Sequence, residues 1–134
     1  MARVKRIDHI AVVVDEMENT LTFWRDALGM ELQGLREVSS EMAQVAFLPA
    51  GESEIELVRP TTSDSGLAKY LEKRGPGMHH VCLEVDDIVG MLAQLKEKGI
   101  QLINEEPRRS PDGKKYAFIH PKSANGVLVE LYEI

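Results

Sequence analysis

The chain has 134 residues, of which 43% are hydrophobic and 28% are charged, and its formal net charge is −6. This length suits one domain with enough apolar core to fold unaided. The acidic balance, without a basic run interleaved with aromatics, argues against a nucleic-acid partner, and the longest unbroken apolar run, residues 10–14, is too short to span a membrane.

The first half of the chain predicts a strand, a helix and three further strands. Residues 4–14 are rich in β-branched side chains, which is typical of a strand. Asp15 is the predicted N-cap of a helix that Gly29 ends. The apolar positions with helical spacing are Met17, Leu21, Trp24 and Leu28. The strands predicted next cover residues 30–38, 43–48 and 53–58, with turns at 39–40 and 49–51.

The second half repeats this order after a polar connector and a short helix over residues 67–73. A strand is predicted over residues 78–85, and Asp87 is the expected N-cap of a helix that Gly99 ends. The apolar face of that helix consists of Ile88, Met91, Leu92 and Leu95. The last three predicted strands cover residues 100–104, 116–120 and 127–132, and a charged loop lies at 107–115.

The single cysteine, Cys82, cannot form an internal disulfide. It lies among apolar residues of a predicted strand, so we expect a core position rather than a nucleophile. No apolar segment of a secretory signal follows the basic N-terminus. The expected location is therefore the reduced cytoplasm, with no membrane partner.

The two halves match residue by residue as well as in their predicted elements. His9 aligns with His80 at an offset of 71 positions, and Glu56 aligns with Glu130 at an offset of 74. A long repeat that occurs twice predicts an α+β domain of two tandem β-α-β-β-β modules about a pseudo-twofold axis. The modules cover about residues 4–60 and 77–134, with a connector over residues 61–76.

Each module carries one histidine on its first strand and one glutamate on its last. If the modules pack together, four side chains converge in a cleft: His9, Glu56, His80 and Glu130. This borderline-hard donor set suits Co²⁺, Mn²⁺, Ni²⁺, Fe²⁺ or Zn²⁺, and in an octahedral shell it leaves two positions open, as catalytic metals require. A lone histidine or glutamate on a strand is more often structural or solvated, so the duplication carries the hypothesis.

The neighbouring histidines are assigned other roles. His79 and His80 point to opposite faces of one strand, because successive side chains alternate. The repeat register selects His80, since His79 aligns with Asp8. We expect His79 to be structural and His120 to lie in a loop at a strand end.

Several segments resemble the vicinal-oxygen-chelate superfamily, which contains glyoxalase I, extradiol dioxygenases and bleomycin-resistance proteins, and within it the methylmalonyl-CoA epimerases. The matching segments are Ile-Asp-His-Ile-Ala-Val at 7–12, Val-Ala-Phe-Leu-Pro at 45–49, Glu-Ile-Glu-Leu at 54–57, Gly-Met-His-His-Val at 77–81, His-Pro-Lys-Ser at 120–123 and Gly-Val-Leu-Val-Glu-Leu at 126–131. The Met-His-His strand and the ending of the chain favour the epimerases over glyoxalase I.

The resemblance implies a single vicinal-oxygen-chelate domain with a curved-sheet cleft, a divalent cation (Co²⁺ first), an acyl-CoA or other small thioester substrate, and a homodimer. It implies C2 epimerisation of methylmalonyl-CoA through a metal-stabilised enolate. Its metal ligands fall on the same four residues as the repeat predicts.

The acid/base residues are less well defined, because the usual third-strand glutamate falls at about Val45. Glu130 and Glu41 are the candidates, and Ser65 and Lys122 occupy family-like places for substrate contacts.

Two other functions are kept as alternatives. One is a lyase of the glyoxalase I type, acting on a glutathione or other thiol adduct, since the ligand set does not separate it from the epimerase. The other is a non-catalytic small-molecule-binding protein of the same fold, which typically lacks the complete set of four ligands.

Overall fold

The computed structural model describes residues 1–134 and contains eight strands, most of which coincide with the segments that the sequence predicts as strands. In chain order they are β1 (Val4–Val13), β2 (Gly34–Val38), β3 (Ala43–Ala50), β4 (Ser53–Pro60), β5 (Gly77–Val85), β6 (Arg108–Arg109), β7 (Lys115–Ile119) and β8 (Val129–Glu133).

The α-helices are α1 (Met17–Leu21), α2 (Gly66–Arg74) and α3 (Ile88–Glu97). A π-helical segment, Thr22–Ala27, continues α1, and short 3₁₀ helices cover Ser39–Glu41 and Pro121–Ser123. None of the helices has the length and apolar character that crossing a membrane requires.

The chain divides into two compact units. The central unit is Ile10–His79, and the terminal unit consists of Met1–His9 together with His80–Ile134. In the central unit the strands follow the order β2-β3-β4-β1, and both β2–β3 and β3–β4 are antiparallel. Helix α1 buries Met17 and Leu21 against this sheet. The other buried members of this core are Val14, Ala46, Leu48 and Leu57.

The terminal unit has the equivalent order β6-β7-β8-β5, with the first part of β1 beside β5. Strand β5 pairs in parallel with β8, and β8 pairs antiparallel with β7. Helix α3 covers one face of this sheet. The buried members of its core are Val85, Ile88, Met91, Leu92, Ala117, Ile119 and Leu131.

The same strand order in both units confirms the predicted β-α-β-β-β repeat and the α+β class. The register repeats as well. Phe47 on β3 faces Glu56 on β4, and Phe118 on β7 faces Glu130 on β8. The two glutamates that the sequence aligns therefore occupy equivalent positions in their own sheets.

The predicted strand over residues 100–104 is wrong. Only Leu102 forms an isolated bridge, with Ile119. The N–H groups of Ile103 and Asn104 both donate to the carbonyl of Phe118, at 2.9 and 3.2 Å, and the Asn104 side chain accepts the Phe118 N–H at 2.8 Å. Ile103 and Asn104 thus both face the single residue Phe118, and this mismatch interrupts a regular ladder, as in a β-bulge. The second strand of this module is instead β6, inside the predicted charged loop.

The first predicted helix also differs from the structure. Its continuation as a π-helix changes the number of residues per turn, and Leu28 is consequently 55% exposed rather than on the core face. Strand β2 begins only at Gly34, not at residue 30. The turn after β3 lies at Gly51-Glu52, where Gly51 has a φ of 67°, because Pro49 and Ala50 still pair with β4.

The two predicted N-caps differ in the structure, and this difference can be measured. The Asp87 carboxylate accepts the Gly90 N–H at 3.0 Å, whereas Glu16, not Asp15, occupies the N-cap position of α1. Asp87→Ala is expected to lower the free energy of unfolding by about 1 kcal/mol. Asp15→Ala, the matched control, is expected to change it by less than about 0.5 kcal/mol. Urea unfolding measures both, and equal losses would contradict the assignment.

Candidate metal centre

Three side chains of the terminal unit bring ligand atoms together. The Nε2 atoms of His9 and His80 lie 3.2 Å apart, and Glu130 Oε1 lies 3.6 Å from the first and 3.1 Å from the second. These side chains are only 10–13% exposed. Each of the three residues is one that the sequence repeat predicts as a ligand.

The strands explain this convergence. His80 lies on β5, which runs parallel to β8 with Cys82 opposite Glu130. The His80 ring packs edge-on against the Phe118 ring, with centroids 5.7 Å apart, and Phe118 itself faces Glu130 across β7 and β8. An aromatic wall therefore limits the movement of the imidazole while its Nε2 points to the carboxylate.

The spacing of the three atoms fits a single cation. Ligands at about 2.1 Å from a metal are separated by about 3.0 Å in cis-octahedral and about 3.4 Å in tetrahedral coordination. The observed separations of 3.1, 3.2 and 3.6 Å fall around these values. Two imidazole nitrogens and a carboxylate oxygen are also a usual donor set for divalent transition metals.

The electrostatics of the cluster favour an ionised carboxylate. Burial alone raises the pKa of Glu130, but its contacts with the imidazoles of His80 and His9 outweigh this effect and lower that pKa to about 2. The hydrogen bond with His9 likewise lowers the pKa of Asp8, against the opposing effect of burial. Both carboxylates are therefore negatively charged at neutral pH, as a cation site requires.

A second layer of charges surrounds His9. Asp8 Oδ2 lies 2.8 Å from His9 Nδ1, and Arg6 bonds both Asp8 at 3.0 Å and Glu84 at 2.8 Å. Glu84 is only 6% exposed and also pairs with Lys5. Sequence reasoning did not find these contacts, although the charged residues Lys5, Arg6 and Asp8 before His9 were a visible signal.

Glu56, the fourth predicted ligand, lies on β4 in the central unit, where it faces Phe47. Its role as a ligand stays a prediction that the repeat supports. His79 lies in the same unit and packs against Tyr70, with ring centroids 4.7 Å apart. His120 caps a 3₁₀ helix by accepting the Lys122 N–H, as expected of a residue at a strand end.

Cys82 is fully buried, as expected for a core residue. Its sulfur nevertheless lies within 4.8 Å of ligand atoms of Asp8 and His9. The sequence did not predict this proximity, which agrees with the position of β1 beside β5 in the sheet.

The predicted catalytic and substrate residues outside this cluster have varied settings. Glu41 ends a 3₁₀ helix before β3 and is exposed. Ser65 is 4% exposed and accepts the Ala68 N–H as the N-cap of α2. Lys122 is exposed in a 3₁₀ helix after β7. Their functional roles stay predictions.

Comparisons with known proteins identify the family. The model of the glyoxalase/bleomycin resistance protein/dioxygenase superfamily matches residues 8–118. The mitochondrial methylmalonyl-CoA epimerase of Mus musculus is 38% identical over 130 residues, which are 96% of this chain and 73% of that protein. The ethylmalonyl-CoA/methylmalonyl-CoA epimerase of Cereibacter sphaeroides is 35% identical over 133 residues, 98% of this chain and 99% of that protein.

A solved structure agrees with these matches. A methylmalonyl-CoA epimerase in complex with methylmalonyl-CoA and ammonium has a TM-score of 0.85 and 31% identity, covering 98% of this chain and 95% of that one. The predicted vicinal-oxygen-chelate fold is thereby confirmed. The chain belongs to the glyoxalase/bleomycin resistance protein/dioxygenase superfamily and, within it, to the methylmalonyl-CoA epimerase family.

Proposed function

We propose that this protein is an isomerase that interconverts the R and S forms of methylmalonyl-CoA at C2. The observation that carries the proposal is the cluster of His9, His80 and Glu130, in a chain that matches epimerases over nearly its full length. The related structure with methylmalonyl-CoA bound supports an acyl-CoA thioester as substrate.

The reaction requires two things of the protein. It must remove the proton at C2, between a thioester carbonyl and a carboxylate, and return a proton to the opposite face. It must also stabilise the negative charge that develops on the thioester oxygen, which is the larger energetic demand.

We propose that His9, His80 and Glu130, with Glu56 as fourth ligand, hold a divalent cation, with Co²⁺ first and Mn²⁺, Ni²⁺, Zn²⁺ and Fe²⁺ as alternatives. When bound, the cation supplies a Lewis acid for substrate oxygen atoms. The protein would hold the cation in a cluster of low solvent exposure, through the ionised carboxylate of Glu130 and two imidazoles. The duplicated position of Glu56, opposite Phe47 as Glu130 is opposite Phe118, supports the fourth assignment.

The proton transfers at the two faces of C2 are assigned to one carboxylate and to a water molecule. A carboxylate with a pKa of about 2 is a weak base, so Glu130 suits the role of ligand better than that of base. Glu41 is our candidate for one base, because its exposed carboxylate can meet a substrate. Ser65 and Lys122 are proposed substrate contacts, and an exposed ammonium such as that of Lys122 suits a carboxylate or phosphate.

The same donor set would also serve a lyase of the glyoxalase I type on a thiol adduct, which we keep as the second candidate. The converging ligand cluster counts against a non-catalytic binding protein. By family resemblance we further propose a homodimer in the cytoplasm.

Hydrogen exchange at C2 tests the reaction. In deuterated water the metal-loaded protein is expected to exchange the C2 hydrogen of methylmalonyl-CoA, and a chelator is expected to slow this exchange by about 100-fold or more. Mass spectrometry of the recovered thioester measures the exchange. Absence of exchange in the loaded protein would refute the epimerase, and turnover of the methylglyoxal–glutathione hemithioacetal would promote the second candidate.

Metal content tests the ligand assignment separately from activity. His80→Ala removes one imidazole of the cluster, so the protein is expected to lose at least about nine-tenths of its bound metal after dialysis. His79→Ala is the matched control and is expected to keep its metal. Elemental analysis measures the metal content of both variants and of Glu41→Gln. Glu41→Gln is expected to keep its metal and to lose the exchange activity at C2. Undiminished metal in His80→Ala would remove the proposed site.

The low pKa of Glu130 predicts an acid-labile contribution to stability. Because its pKa in the folded protein lies below its ordinary value of 4.5, the carboxylate stabilises the fold above that value, and this contribution is lost as pH falls toward 2. Between about pH 6 and pH 3 the chelated wild type is expected to lose about 2 kcal/mol more unfolding free energy than Glu130→Gln. Urea unfolding measures this difference.

Glu97→Gln, which alters an exposed carboxylate of α3, is the control and is expected to follow the wild type. Parallel curves for wild type and Glu130→Gln would show that the buried carboxylate is not held by the two histidines in the metal-free protein.

A further inference from the structure

The residues that precede His9 form a chain of charged contacts that ends at its ring. The Asp8 carboxylate lies 2.8 Å from His9 Nδ1 and is 17% exposed. An ionised carboxylate accepts hydrogen bonds and has no proton to donate. The Nδ1 atom of His9 must therefore carry the proton of this contact, and in the neutral ring the other nitrogen, Nε2, keeps its lone pair.

Arg6 fixes the direction of the Asp8 carboxylate. One guanidinium nitrogen of Arg6 donates to Asp8 Oδ1 at 3.0 Å, and its Nε donates to Glu84 Oε1 at 2.8 Å. Glu84 is 6% exposed, and its second oxygen pairs with Lys5 at 3.1 Å. With one oxygen held by Arg6, Asp8 presents the other to His9. Arg6 thus donates to the carboxylates of both Glu84 and Asp8, and His9 donates to the second oxygen of Asp8.

The orientation of the lone pair determines what the cluster can bind. His9 Nε2 lies 3.2 Å from His80 Nε2 and 3.6 Å from Glu130 Oε1, at the place where the three ligand atoms converge. A hydrogen on that nitrogen would occupy the cation position. We propose that Asp8, held by Arg6, is a positioning residue that keeps His9 in the tautomer whose Nε2 lone pair faces the cation site. This inference rests on the proposed metal site and extends it to residues that do not themselves bind the cation.

The substitution Asp8→Asn gives a sharp test, because the environment dictates how an amide would sit. Arg6 donates to the oxygen that faces it, so the Asn oxygen is expected to turn toward Arg6 and its NH₂ group toward His9. The amide then donates to Nδ1, and the His9 proton moves to Nε2. The shape of the side chain is nearly unchanged, while the preferred tautomer is reversed.

The tautomer is measured without any metal. In the chelated protein with ¹⁵N-labelled histidine, the ring nitrogen shifts of wild-type His9 are expected to show a protonated Nδ1, and those of Asp8→Asn a protonated Nε2. Asp86→Asn is the matched control, since the Asp86 carboxylate also accepts a hydrogen bond within the terminal unit, from the Arg3 N–H at 2.8 Å. In this variant His9 is expected to keep the tautomer of the wild type. A protonated Nε2 in the wild type would overturn the inference, even if Asp8→Asn failed to fold.

Cation affinity supplies the second readout. Isothermal titration with Co²⁺ is expected to show binding about 10- to 100-fold weaker in Asp8→Asn than in wild type, and unchanged within about twofold in Asp86→Asn. Equal affinity in wild type and Asp8→Asn would overturn the positioning role and leave the ligand assignment intact. Weaker binding with an unchanged tautomer would overturn it as well, because the lost charge alone would then explain the effect. A wild type that binds no Co²⁺ would refute both this inference and the metal site.

Discussion

The contact between the Glu130 carboxylate and two imidazoles is the interaction on which the site depends. A carboxylate that is almost fully buried lowers the free energy of unfolding by several kcal/mol unless it is paired with or bonded to a cation. Glu130 meets this requirement through His80 and His9, and its pKa is accordingly low rather than high. The three strands that carry these residues must keep their register, because a shift of one residue would turn each side chain to the other face.

Duplication explains why such a site can be recognised in a single sequence. One histidine or one glutamate on a strand has many structural explanations, but the same pair at matching positions of two modules has few. The structure strengthens this argument through the partners of the glutamates: Glu56 and Glu130 each face a phenylalanine on the neighbouring strand. The strand orders of the central and terminal units repeat as well, so the positions of the proposed ligands follow from the topology and not from local sequence alone.

Alternation, helical spacing and turn residues were sufficient to predict most elements, and they failed where backbone geometry departs from the ideal. Leu28 was placed on a core face by a period of 3.6 residues, which the π-helical segment at Thr22–Ala27 changes. Asn104 was placed in a strand, but its side chain takes the backbone N–H of Phe118 that a regular ladder would use. Neither a π-helix nor a bulge has a pattern that composition reveals.

The contact between Asp8 and His9 escaped prediction for a related reason. Successive side chains of an ideal strand point to opposite faces, so neighbours are not expected to bond. The two groups nevertheless lie 2.8 Å apart, and Arg6 donates a hydrogen bond to the other oxygen of Asp8. Spacing rules can propose ligands, whose positions the fold repeats, but they do not reveal contacts such as that of Asp8 with His9, which depend on side-chain conformation.

The requirements of a ligand and of a base explain why the base is harder to identify than the metal site. A ligand carboxylate works best when its proton is lost easily, whereas a general base works best with a pKa near the working pH. The environment that lowers the pKa of Glu130 to about 2 therefore makes it a good ligand and a poor base. A residue that serves as the base therefore has to lie in an environment different from that of Glu130.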